Sequence, residues 1–354
     1  MKRKSMSLLL ALFMAMSLVA CGVGGTSETT KEAAEPKASE TAETATAEPA
    51  PAEEAAEESA DVHYTVGICQ LVQHVALDAA TQGFKDAIVE SLGEDAVTFD
   101  EQNAAGDSAQ CTTICTGLVS DGVDLILANA TPALQAAASS TTEIPVLGTS
   151  ITEYGVALSL DDFNGTVGGN ISGTSDLAPL DQQAKMIEEL FPEAENVGIL
   201  YCSAEANSVY QAETVKAVLE ADGLNVKVYT FADSNDVASV TQSACDDNDV
   251  LYIPTDNTAA SCTEAINNVA LPAGVPIVAG EEGIAKGCGV AALTIDYYEL
   301  GRTTGEMAVK ILTGEADIAS MPIEYYANPV KVYNPDICDK LGVEIPEGYT
   351  AIAD

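Results

Sequence analysis

From residue 61 onward, short apolar runs alternate with longer stretches in which apolar positions recur every three or four residues. The short runs fall at 63–69, 96–100, 123–128 and 144–148, and again at 196–202, 225–231, 249–253 and 275–279. Their length and content predict strands. The helical spacing between them predicts helices near 75–91, 107–120, 131–141, 181–191, 206–222, 235–245 and 258–270. Strands regularly separated by helices imply parallel sheets with right-handed crossovers. The near-continuous apolar run from Val123 to Ala128 suits a strand covered on both faces.

The eight strands form two sets of four, separated by "GTVGGNISGTSDLAPL" (165–180), a join rich in Gly, Thr and Ser that reads as a loop and the first candidate hinge. A late stretch, "ALTIDYYELGRTTGEMAVKILTG" (292–314), predicts one more strand and a helix ending at Gly314. A final strand near 329–333 and a short helix at "PDICDKLG" follow. The expected organisation is a lobe of 61–175 plus about 296–321, and a second lobe of 176–295 plus about 322–354. If the late helix packs on the first lobe, the chain crosses between lobes more than once, which permits bending while keeping the lobes aligned.

The first sixty residues carry a different pattern. Lys2, Arg3 and Lys4 precede an apolar run of 14 residues, Ser7 to Ala20, shorter than the roughly 20 needed to span a bilayer. A basic start, a short apolar segment and small residues before Cys21 predict a secretory signal peptide over 1–20. Residues 22–60 are mostly Glu, Ala, Thr, Ser and Pro with almost no large apolar side chain, so that 21–60 reads as Cys21 followed by a disordered acidic tether. Net charge is −41; taking away +3 for the leader and −8 for the tether leaves −36 on residues 61–354. That balance excludes nucleic acid, which demands Lys and Arg against phosphates.

In open α/β sheets, ligands bind beyond the carboxyl ends of the strands. The candidate residues there are Gln70, His74 and Asp78 after the first strand, then Asn129 and Thr131, then Thr149, Ser150 and Thr152. The second lobe offers Glu205, Asn207 and Ser208, then Thr255, Asp256 and Asn257, then Glu281 and Glu282, with Asp296 and Tyr297 at the late crossing. The set mixes hydroxyls, amides and carboxylates and contains no Lys or Arg. Hydroxyls and backbone N–H groups suit a carboxylate, and Asp256, Glu282 or Asp296 suits an ammonium. A zwitterionic amino acid satisfies both. Each of these residues also has an ordinary structural reading, as a helix cap or a solvated side chain.

With two histidines and no His-x-x-x-His or zinc-ribbon spacing, no metal and no cofactor is expected. Cys111 and Cys115, four apart on a helical pattern, read as small buried residues; the pairing of the eight cysteines after Cys21 stays open. There is no Gly-x-Ser-x-Gly elbow and no Gly-x-x-x-x-Gly-Lys loop, so no enzyme is expected.

The segments "VGICQLVQHVALDAATQGFKDAI", "QNAAGDSAQ", "LILANATPALQAAASST", "GILYCSAEANSVYQ", "LYIPTDNT" and "TIDYYELGRTTGEMAVKILTGE" resemble, in order, the solute-binding lipoproteins of ABC transporters whose better-known members bind tryptophan, phenylalanine or tyrosine. Leu18-Val19-Ala20-Cys21 resembles the lipobox of bacterial lipoproteins. The resemblance implies a type I periplasmic-binding-protein fold, two doubly wound lobes on three crossovers, closing around a ligand. It implies lipid on Cys21, a location on the extracytoplasmic face of a bacterial membrane, a permease and an ATPase as partners, and a monomer. It places ligand contacts at Gln70, His74, Asp78, Thr131, Thr149, Ser150, Glu205, Asn207, Ser208, Asp256, Asn257 and Asp296. The ligand expected is an amino acid of the aromatic class. A sugar, nucleoside or other neutral polar solute, or a sensor role at a signalling receptor, is the alternative.

Overall fold

The computed structural model describes residues 62–353. The expected leader, Cys21 and the tether lie outside these described residues. The chain runs β1 (Tyr64–Gln70), α1 (Val75–Leu92), β2 (Val97–Asn103), α2 (Ser108–Asp121), β3 (Leu125–Asn129), α3 (Thr131–Ser140), β4 (Val146–Ile151), the single turn α4 (Tyr154–Ala157) and β5 (Ile171–Ser175). It continues through α5 (Leu180–Leu190), β6 (Asn196–Cys202), α6 (Ala206–Ala221), β7 (Asn225–Phe231), α7 (Val237–Asp247) and β8 (Val250–Ile253). Then come α8 (Asn257–Ser261), α9 (Thr263–Ala273), β9 (Ile277–Ala279), α10 (Glu282–Cys288) and β10 (Ala291–Thr294). Last are α11 (Tyr297–Leu312), β11 (Glu324–Tyr325), β12 (Val330–Tyr333), α12 (Pro335–Leu341) and β13 (Thr350–Ala351).

Two sheets result, ordered β11-β5-β4-β3-β1-β2 and β13-β12-β10-β9-β8-β6-β7. Both are covered on two faces, as the continuous apolar strands require. In the first, Val66, Ile68, Leu125 and Leu127 pack against Phe84 and Met307 on one side. Ile126 and Ala128 meet Leu118 and Leu134 on the other. The expectation of wholly parallel sheets needs one correction: β12 runs antiparallel to β10, with Val330 opposite Thr294. The chain re-enters the second sheet beside the carboxyl end of β10, and a strand starting there without a crossover connection can only run back.

The Gly-Thr-Ser-rich join is a second correction. Residues 171–175 are not loop but the strand β5, buried along its whole length. It carries no apolar run because hydrogen bonding replaces packing: Ser172 Oγ donates to the Met321 carbonyl at 3.1 Å, and Thr174 Oγ1 lies 2.8 Å from Thr304 Oγ1. Gly173, at φ +143°, lies so close to β4 that a Cβ would overlap the Gly148 carbonyl oxygen.

The chain passes between sheets three times: at 176–179 after β5, at 295–296 before α11, and at 326–329 after β11. The third passage begins after Tyr325, pairing with β5, a few residues beyond 321. The late helix α11 returns to the first sheet, and glycines allow it close against α1. A Cβ on Gly83 would overlap the Tyr298 carbonyl oxygen, and one on Gly301 that of Ala80. The eight described cysteines are free thiols, seven of them buried. Cys111 and Cys115 sit in the first lobe's core, and among the described residues no His/Cys/Asp/Glu group is arranged for a metal ion.

Candidate functional site

The carboxyl ends of β1, β4, β6, β8 and β9, with the first two passages between sheets, converge on one enclosed cavity between the lobes. Its wall comprises His74, Leu77 and Ser150 of the first lobe with Asn207, Thr255, Asp256, Asn257, Ala260 and Glu281 of the second. Asp176, from the first passage, and Tyr297, the first residue of α11 after the second, complete it. The free volume is about 10 Å³, the room of one water molecule, so a larger guest requires the lobes to part or side chains to turn.

Each wall residue is held by a network behind it. Glu205, buried beneath the cavity, accepts from the Asn257 backbone N–H at 3.1 Å, Asn257 Nδ2 at 2.6 Å and Thr258 Oγ1 at 2.8 Å. With its Nδ2 committed to a carboxylate, Asn257 presents Oδ1 to the opposite lobe, where His74 Nε2 donates to it at 3.2 Å. That bond joins the lobes directly and fixes the imidazole tautomer: the proton sits on Nε2, and Nδ1 is an acceptor. Burial, the largest influence, lowers the His74 pKa and keeps the ring neutral.

Asn207 Nδ2 donates to the Thr255 carbonyl at 3.0 Å, which turns its Oδ1 outward. Ser150 stands at φ +56°, a left-handed conformation unusual for serine, where the β4–β5 register shifts between Gly148 and Ile151. The shift aims Ser150 into the cavity. Asp176 Oδ2 accepts from the Tyr297 hydroxyl at 3.0 Å, tying the first passage to the second. Burial pushes the Asp176 carboxyl up to about 6, against the opposing pull of the Tyr297 and Thr152 hydroxyls.

Four buried polar atoms of this wall have no hydrogen-bond partner: His74 Nδ1, Ser150 Oγ, Asp176 Oδ1 and Asn207 Oδ1. Unpartnered buried polar atoms are rare, because each forfeits its hydration, and four on one small cavity point to a guest. Three are acceptors, one of them a carboxylate oxygen, and the fourth is a hydroxyl. Three acceptors match the three N–H bonds of an ammonium, and the hydroxyl can donate to a carboxylate.

The sequence candidates divide accordingly. His74, Ser150, Asn207, Asp256 and Asn257 line the cavity. Asp256 is not the free carboxylate expected of an ammonium partner: its oxygens accept from the Cys202 and Ala259 backbone N–H groups, each at 2.7 Å, and it caps α8. Burial and the neighbouring Glu205 charge also raise its pKa, favouring the neutral form. Gln70 and Asp78 stand behind the wall, Gln70 Nε2 donating to Asp78 Oδ1 at 2.6 Å to hold the loop that carries His74. Glu205 and Ser208 likewise support the wall from beneath, Ser208 Oγ accepting from Asn207 Nδ2 at 3.3 Å.

Thr149 faces the other way, in a hydroxyl cluster with Thr174 and Thr304, because successive strand residues alternate faces. Thr131 is buried with Oγ1 unpartnered but does not line the cavity. Glu282 and Asp296 line a separate cavity. Glu281, whose carboxylate caps α10 and is pushed up to about 7 by burial, faces both cavities. Asp176 is absent from the sequence candidates. It follows β5, and recognising that strand would have placed it at a strand end with the others.

Two α/β lobes on three crossings, with unpartnered polar atoms meeting in the cleft, define a receptor that encloses a small polar molecule between its halves. The ABC transporter substrate-binding protein family matches residues 65–354, and the chain belongs to that family. The fold is that of a type I periplasmic binding protein. A tyrosine-binding protein of Clostridioides difficile is 33% identical over 284 residues, spanning 79% of this chain and 81% of the relative. A Streptococcus pneumoniae ABC domain solved with L-Trp is 33% identical, covers 82% of this chain and 100% of its own, and superposes with a TM-score of 0.78. A ligand-free, open substrate-binding protein with adhesive properties from Clostridium difficile, 35% identical over 82% of this chain and 99% of its own, gives 0.62. At similar identity, this chain superposes better on the L-Trp complex than on the ligand-free, open structure.

Proposed function

We propose that this protein captures an α-amino acid of the aromatic class between its lobes and delivers it to the permease of an ABC importer, tethered to the extracytoplasmic face of the membrane through lipid on Cys21. The observation that carries the ligand class is the set of unpartnered buried atoms in the cleft, three acceptors including Asp176 Oδ1 beside the Ser150 hydroxyl. An ammonium has the charge and the three donors for the first group, and the α-carboxylate accepts from the second. The aromatic class is supported by relatives that bind tyrosine and L-Trp. The lipid anchor and the permease are supported by the leader sequence and by family membership.

Capture works by population shift. A ligand that touches both lobes only when they are together favours the closed arrangement. The His74–Asn257 hydrogen bond, which spans the two lobes, adds to the stability of that arrangement. Calorimetry with the twenty amino acids tests the reading: at least one aromatic amino acid binds with one-to-one stoichiometry, and Asp176→Asn weakens it by about 2–5 kcal/mol. A flat response to all twenty, or unchanged affinity in the variant, refutes it.

A further inference from the structure

A second cavity, of about 420 Å³, lies beside the first, separated from it by Glu281 and Tyr297, which face both. That volume is within the range of small-molecule sites, roughly 300–1,000 Å³. Its walls come from α1 of the first lobe, α10 of the second, and the second and third passages between them. Apolar surface is supplied by the half-buried Tyr326 and by Val75 and Val330, which are 68% and 50% exposed. Among the described residues, large apolar side chains so exposed are few, and two share this rim.

The charged groups facing the cavity are Glu281, Glu282, Asp296 and Lys286. Lys286 Nζ donates to the Ala353 carbonyl at 2.8 Å. Glu281 caps α10 through both carboxylate oxygens, and Asp296 caps α11 through Oδ1. Glu282, exposed on the first turn of α10, takes part in no ion pair among the described residues. With Glu281 pushed toward its neutral form by burial, the carboxylates of Glu282 and Asp296 against the one ammonium of Lys286 still leave the cavity net negative beside an apolar, partly aromatic wall.

We infer that this hinge-side cavity is a second binding site, for a small organic amine with an apolar or aromatic body and no carboxylate. The amine pairs with Glu282 and the free oxygen of Asp296, and its body lies against Tyr326, Val75 and Val330. An amino acid is rejected, because its α-carboxylate meets the same acidic rim. The site is distinct from the enclosed one, so the two kinds of ligand bind together.

Phenethylamine is the probe, measured by calorimetry and saturation-transfer NMR on the folded protein, with phenylacetate as the matched anion. One-to-one binding of phenethylamine is expected, with no binding of phenylacetate. Glu282→Gln and Glu282→Lys, exposed substitutions outside the enclosed cavity, reduce the amine's affinity at least tenfold and leave amino-acid binding unchanged. Ser150→Ala, in a residue that lines only the enclosed cavity, leaves the amine's affinity unchanged, which separates this site from the amino-acid site. Absence of phenethylamine binding, insensitivity to both Glu282 variants, or displacement of the amine by a bound amino acid overturns the inference.

Discussion

The carboxylate of Glu205 accepts four hydrogen bonds from Asn257 and Thr258, and through Asn257 it determines which nitrogen of His74 carries the proton. A buried carboxylate that never lines the cavity thus makes His74 Nδ1 an acceptor there. Asp176 supplies the charge. Its folded-state pKa of about 6 lies above the ordinary 3.8, with burial the main cause. A raised carboxyl pKa means the folded state holds the proton more tightly than the unfolded chain. Its contribution to stability is therefore fully present below about pH 4 and disappears as pH rises through 6, amounting to roughly 3 kcal/mol at most. Asp176→Asn removes that dependence. In urea unfolding of the ligand-free protein, the variant is expected to exceed the wild type at pH 8, and the gap to shrink toward pH 5. Amino-acid affinity of the wild type runs the opposite way, weakening below about pH 6 as the carboxylate is neutralised. A constant stability gap across that range would mean Asp176 does not titrate there.

Among the elements, α11 connects the two lobes most directly, because it packs on α1 of the first lobe while its first residue, Tyr297, reaches the cavity. The packing depends on close backbone approach at Gly83 and Gly301. Gly301→Ala forces the helices apart and is expected to lower stability by about 1–3 kcal/mol, the scale of an overpacked core. Gly117→Ala on α2 is the control: a Cβ there meets nothing within 4 Å, and the substitution should stabilise by roughly 0.5–1 kcal/mol. Equal effects at the two positions in denaturant titrations would refute the packing argument. The strands with apolar runs were legible because burial on both faces writes itself into composition. The strand β5, "ISGTS", was not, because its burial is satisfied by hydroxyl and backbone hydrogen bonds from residues more than 100 positions away. The hidden strand concealed Asp176 as well, one residue beyond it.

At the scale of the molecule, three passages of two to four residues join two sheets that share no strand. Such a connection resists twisting but permits bending. The cavity in the present arrangement has room for about one water, so an amino acid enters when the lobes separate or the wall side chains turn. Small-angle scattering is expected to show ligand-free protein as a mixture of more open and closed forms that contracts when the amino acid binds. Superimposable curves with and without a ligand that calorimetry has shown to bind would refute closure.

The sequence by itself determined the α/β class, the two sets of strands and the polar residues gathered at strand ends. Periodicity, composition and net charge are local or additive properties, and a chain carries them before it folds. Only the tertiary structure decided which polar atoms remain without partners. Asp256 and Asp176 are the same residue type, each following a buried strand, yet one has its oxygens taken by backbone N–H groups and the other keeps an oxygen free in the cleft. Hydrogen-bond satisfaction depends on neighbours distant in the chain, so no reading of a segment in isolation can assign it.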